Sequence, residues 1–125
     1  MTNIEELSQI FENNKDKRIC VLGTTCTGKT TLINELETGL DMDELVKTKL
    51  SIKPGIPMFG TVLIDCDLIV YLHISDELLE ERTKSRNVDF EDAKNMQMKI
   101  EDEIDKSTIE TIKLEVVNKK KNLKR

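Results

Sequence analysis

Aromatic residues are scarce: the 125-residue chain has three Phe, one Tyr and no Trp, 3% in all. A stacking platform for single-stranded nucleic acid needs successive exposed rings, so that function is not expected. Long apolar runs are missing too. The longest, Leu68 to Leu72 followed by His73 and Ile74, falls far short of the roughly 20 residues that cross a bilayer. No charged-then-apolar signal segment opens the sequence, and the expectation is a cytoplasmic protein with no membrane partner. Histidine occurs once, at His73, and the three cysteines, Cys20, Cys26 and Cys66, form no C-x-x-C pair. A disulfide framework or a Cys/His zinc site is therefore not expected, and reduced thiols suit the cytosol.

The chain carries 19 basic and 24 acidic residues, a net charge of −5. Five of the basic residues crowd into 119–125, Lys-Lys-Lys-Asn-Leu-Lys-Arg, so the body before them is strongly acidic. An acidic body repels a polyanion, and no nucleic-acid partner is expected. An anionic ligand would need a local, backbone-rich site. Apolar residues at 38% and charged residues at 34% describe one globular domain over residues 1–118, with a core of Ile, Leu, Val and Met. The basic tail at 119–125 reads as a disordered, solubilising end, with contact to anions or a membrane surface as the alternative.

Ile4, Leu7 and Phe11 share a helical face, which predicts a short helix over residues 2–12, closed by turn chemistry at Asn13-Asn14-Lys15-Asp16. Ile19-Cys20-Val21-Leu22 is a continuous apolar run, the pattern of a parallel strand buried on both faces. From Lys29 the period becomes helical through Leu32, Ile33 and Leu36, with Gly39 as a C-terminal cap. Alternation from Val46 to Ile52 predicts an edge strand, stopped by Pro54-Gly55. In Pro57 to Cys66, Val62-Leu63-Ile64 reads as a strand or as one helical turn. Leu68 to Ile74 is a second buried strand. Ser75 caps a helix through Leu78, Leu79 and Arg82; Asp89 opens another, with Ala93, Met96, Ile100 and Ile104 inward and Met98 in the same core stripe. A last strand covers Ile112 to Val117. This order predicts an α/β fold: a three-layer sandwich around a small, mainly parallel sheet of about four strands.

Gly23-Thr24-Thr25-Cys26-Thr27-Gly28-Lys29-Thr30 matches G-x-x-x-x-G-K-[ST], and it stands between a buried strand and a helix, where its mechanism needs it. The glycines let backbone N–H groups converge on a phosphate, and the helix N-terminus adds positive potential. Lys29 would reach the β- and γ-phosphates, the Thr30 hydroxyl would ligate Mg²⁺, and Thr31 completes the first turn. Cys26 reads as a variable loop position. At average composition the string arises by chance in on the order of a few chains per thousand. ATP with Mg²⁺ is the expected ligand.

With the segment Asp67 to Arg86, the motif resembles the P-loop kinase group that includes nucleoside and nucleotide kinases. There a strand of this form leads into a helix ending R-x-x-x-R, and the two arginines belong to or flank a lid over the transferred phosphoryl group. The resemblance implies P-loop NTPase topology and ATP-dependent transfer to a nucleoside, nucleotide or similar small acceptor, with Arg82 and Arg86 as the lid arginines. Their i, i+4 spacing also suits pairing with Glu81 or Asp89 on a wet helix face. The Asp-Arg element with which such kinases orient their acceptor is missing, which leaves a nucleotide-binding regulatory module as the alternative. Asp65, after Val62-Leu63-Ile64, resembles the end of a Walker B strand and is a candidate metal-associated group or general base, or else a surface carboxylate. Asp67 reads as a structural cap. His73 would face the ligand crevice or form a satisfied histidine. Asn118-Lys119-Lys120-Lys121 lacks the Asp of a guanine-reading segment, so adenine is expected over guanine; the loop after Val117 would approach the base.

Overall fold

The computed structural model describes residues 3–41 and 52–117. Its centre is the apolar run read above: strand β1 (Ile19–Leu22) is buried at all four positions. A strand shielded on both faces needs neighbours on both edges. These are β3 (Met58–Gly60), with Cys20 opposite Met58, and β4 (Leu68–His73), with Val21 opposite Val70; both are parallel to β1. The two-residue β2 (Leu40–Asp41) and β5 (Glu110–Glu115) form the outer edges. The order is β2-β3-β1-β4-β5, all parallel.

Side-chain alternation divides the core between the sheet's two faces. Ile19, Val21, Leu68, Val70 and Leu72 meet Leu7 of helix α1 (Asn3–Asn13) and Leu32 of helix α2 (Lys29–Leu36). Phe11 of α1 meets Phe59 edge-on, with centroids 6.3 Å apart. On the other face Cys20, Leu22, Ile69 and Tyr71 pack with Ile100, Met96 and Ile104 of helix α4 (Phe90–Lys106). Each fully buried Leu or Ile contributes roughly 1.5–3 kcal/mol. Helix α3 (Asp76–Ser85) follows β4 and buries Leu78 and Leu79. The Asn3 side chain ties α1 to the far edge of the sheet: its amide donates to the Glu115 carbonyl at 2.9 Å, and its oxygen accepts from the Val117 N–H at 2.9 Å.

The expected α/β class and small parallel sheet are present. Several details differ. Val62-Leu63-Ile64 is neither strand nor helical turn. It belongs to the connection that leaves β3, crosses β1 and enters β4, and that connection is too short to hold a further strand. The strand between Pro57 and Cys66 is instead Met58–Gly60. Helix α2 ends on Glu37, left-handed at φ 56°, two residues before Gly39. Met98 is 54% exposed rather than in the core, and Gln97 takes the buried position beside it. The last strand starts at Glu110 and stops at Glu115. The strand expected from Val46 lies almost wholly outside the described residues, as do Asn118 and the basic tail. Among the described residues no helix is long and apolar enough to cross a membrane.

Candidate functional site

After β1 the chain runs through α2 to β2 and β3 on one side, then returns across β1 to β4 and β5 on the other. The carboxyl end of β1 is therefore the point where strand order reverses, the place where open α/β sheets hold ligands. Gly23 to Gly28 occupy it. Gly23 donates its N–H to the Gly60 carbonyl at 3.2 Å. A Cβ there would stand 2.8 Å from Thr27 Oγ1 and 3.2 Å from Leu72 Cβ, so glycine is required for the close approach. Cys26 at φ 70° and Gly28 at φ 90° are left-handed and curl the loop back on itself.

The loop is fastened from below. The buried Thr24 hydroxyl donates to the Ala93 carbonyl of α4 at 2.6 Å, and the Thr27 hydroxyl donates to the Thr24 carbonyl at 2.8 Å. Cys26 is buried in the core and not presented to solvent. Lys29 folds inward: its ammonium donates to the carbonyls of Gly23 and Thr24, both at 2.8 Å, and to Thr27 Oγ1 at 3.2 Å. Gly28, the N-cap of α2, offers no side-chain cap, and the first turn carries no acid. The first N–H groups of a helix have no intrahelical partner, so this end keeps its positive potential. Thr30 and Thr31 are exposed there.

Arg82 reaches the loop from α3, donating from Nη1 to the Cys26 carbonyl at 3.0 Å. Burial, and then the like charge of Arg86, lower its pKa from the ordinary guanidinium value. Arg86 is exposed at the C-cap of α3. The i, i+4 pairing with helix acids is not formed: among the described residues neither arginine has a salt bridge. Half-buried cationic charge at an uncapped helix end is suited to an anion.

Asp65 is not brought to this site. It lies beside Arg18, which precedes β1, so it stands at the opposite end of the strands from the loop. Its carboxylate accepts from Arg18 Nη1 at 3.3 Å and is 88% exposed. A hydrophobic-then-acidic pattern marks a Walker B strand only when a strand is there. Asp67 accepts from the Arg18 backbone N–H at 2.9 Å and from its guanidinium at 3.1 Å. These bonds hold the Asp67 carboxyl below the usual carboxylate range, in keeping with a cap. Among the described residues no group of three or more His, Cys, Asp or Glu side chains is placed to hold a metal. The donor set fits Mg²⁺ carried by phosphates and water with Thr30 as its protein ligand, since Mg²⁺ keeps several waters.

Two polar arrangements escape the sequence pattern. Gln97, 1% exposed, clamps the residue that follows β4: its oxygen accepts from the Ile74 N–H and its amide donates to the Ile74 carbonyl, both at 3.2 Å. His73, the last residue of β4, holds Glu115 of β5 through Nδ1 at 2.7 and 2.9 Å. A glutamine inside an apolar stripe at helical spacing was the one available signal; the His73 partner, 42 residues away, has none. Comparison with protein-family models found no match, and comparison with curated proteins found none.

Proposed function

We propose that this chain is an ATP-binding P-loop protein that transfers the γ-phosphoryl group to a small acceptor, a nucleoside, nucleotide or similar molecule. The observation that carries the reading is the uncapped N-terminus of α2 at the strand-order reversal, with Lys29 in its first turn and Arg82 donating to the loop at the Cys26 carbonyl, neither Arg82 nor Arg86 in a salt bridge among the described residues. The loop amides and Lys29 hold the donor phosphates; to do so, the ammonium exchanges its carbonyl partners for phosphate oxygens, a stronger charge-assisted contact. Thr30 ligates Mg²⁺, which neutralises phosphate charge when bound. Arg82 and Arg86 face the charge that develops on the transferring group.

The test is titration calorimetry of the chain with Mg·ATP, followed by an ADP assay with pooled nucleosides, nucleotides and sugars. Saturable binding and acceptor-dependent ADP are expected; the absence of binding would sink the reading. A second reading, a nucleotide-binding module without transfer chemistry, is favoured by one observation, the position of Asp65 at the end of the strands remote from the loop. That module would bind Mg·ATP and release no ADP with any acceptor.

A further inference from the structure

All three cysteines are free thiols, and all three are buried. They do not share one environment. Cys26 belongs to the side of the core that packs on α1 and α2, whereas Cys20 and Cys66 lie together on the other side, in the cluster with Ile69, Tyr71 and Ile100. The backbone brings this pair together from distant parts of the sequence. β1 pairs with β4 so that Ile19 stands opposite Leu68 and Cys20 opposite Ile69. Just before β4, Asp67 and Leu68 both donate their N–H groups to the Arg18 carbonyl, at 2.8 and 3.2 Å. Cys66 is thereby set beside the start of β1, and the two thiols are hydrogen-bonded to each other. Cys20 is fully enclosed and Cys66 is 5% exposed, on a connection whose Val62 and Asp65 are open to solvent. The two sulfurs are chemically unequal. The hydrogen bond from Cys20 holds the Cys66 thiol below the ordinary thiol range, and the N–H groups of Leu68 and Cys20 and the charge of Arg18 add to it against the cost of burial. The same bond, and then burial, push Cys20 up. Cys66 is the sulfur that loses its proton first.

We propose that Cys20 and Cys66 form a redox-active dithiol: a peroxide oxidises the Cys66 sulfur, and Cys20 converts the product to a disulfide that fastens the β3–β4 connection to β1. A thiolate with a second thiol beside it is the arrangement that oxidises reversibly, because the neighbour captures the first product before it is oxidised further. A peroxide is small enough to meet a sulfur that is only slightly exposed. In the first step the Cys66 thiolate attacks one peroxide oxygen. An S–O bond forms, the O–O bond breaks, and its electron pair leaves as hydroxide, which takes up the proton Cys66 released. Cys66 is then a sulfenic acid. In the second step the Cys20 sulfur attacks the Cys66 sulfur, the S–S bond forms, the S–O bond breaks, and the hydroxyl leaves with the Cys20 proton as water. Two thiols lose two electrons, and one peroxide becomes two waters. Neither step uses a group of the phosphate loop, so the proposal is independent of the kinase reading.

The experiment treats the full chain with a stoichiometric amount of hydrogen peroxide, folded and in urea, then counts thiols after denaturation and maps linked peptides by mass spectrometry. In the folded chain the count should fall from three thiols to one, with a single link, Cys20 to Cys66, that dithiothreitol reverses and with Cys26 left free. In urea the same treatment should give mixed pairs that include Cys26, since only the fold selects the partners. In Cys20→Ala, oxidation should stop at the Cys66 sulfenic acid, which dimedone captures. In Cys66→Ala, the thiolate is gone and peroxide consumption should slow roughly tenfold or more. A folded parent that keeps all its thiols, links through Cys26 or links between chains overturns the proposal, and that result requires neither variant to fold. Dimedone capture at Cys26 alone in Cys20→Ala overturns it as well.

Discussion

The N-termini of α2 and α3 are built on opposite principles. α3 is capped by Ser75, whose oxygen accepts from the Leu78 N–H at 3.3 Å, and Asp76 and Glu77 fill its first turn. α4 repeats the arrangement with Asp89, Glu91 and Asp92. α2 begins at Gly28 with no side-chain cap, no acid and a lysine. Omitting a cap forgoes about 1 kcal/mol, and a cation at a helix N-terminus is unfavourable by roughly 0.3–1 kcal/mol. The chain caps α3 and α4 with side chains and leaves α2 uncapped at the strand-order reversal. That difference supports the proposed anion site by an observation independent of the motif.

The largest expected effect breaks the comparison at α2. Lys29→Ala should weaken Mg·ATP binding by about 100-fold, some 2.7 kcal/mol, the scale of a charge-assisted phosphate contact; calorimetry at constant salt measures it. Next, Thr31→Glu gives α2 the first-turn acid that α3 and α4 possess. The helix should gain roughly 0.3–1 kcal/mol, while Mg·ATP binding weakens about tenfold through like-charge repulsion. A variant that is stabilised and binds normally would show that the terminus is not the phosphate site. Ser75→Ala should cost about 1 kcal/mol in urea unfolding with Mg·ATP affinity unchanged, since that end serves structure only.

The smallest effect is a control at the end of the strands remote from the loop. Asp67 is held below its ordinary range by Arg18, so it favours the folded state above the unfolded carboxylate value of about 3.9 and loses that contribution as pH falls through its folded value. Asp67→Asn should therefore flatten the acid end of the stability curve and leave nucleotide binding alone. Unfolding midpoints at a series of acidic pH values check the first part.

Local chemistry was the most legible. β1 and the start of α2 fall where the apolar run and the change of period place them, and the caps at Ser75 and Asp89 need only neighbouring residues. What was not legible depends on partners distant in sequence. β3 is three residues long, too short for a period to register, and exists because β1 must be covered on both edges. Glu37 adopts the left-handed conformation where Gly39 was the natural candidate, since the chain turns toward β2 at once. Gln97 sits in an apolar stripe because its amide matches both backbone groups of Ile74. For the site, the loop and Lys29 follow from spacing and Arg82 is placed at the loop, whereas the His73–Glu115 pair emerges only from the register of β4 on β5.

The two hydrogen bonds of Asn3 set a schedule for folding in the cell. They join residues 112 and 114 positions apart in the chain. At roughly 5–20 residues per second of synthesis, about 6–22 s pass between the appearance of one partner and the other. Until β5 is made, α1 has no edge strand to hold and the outer edge of β4 remains unpaired, a template for association with other strands. Ribosome-bound chains that stop before residue 110 should be the aggregation-prone species, and they should be recognised by chaperones that fully synthesised chains escape.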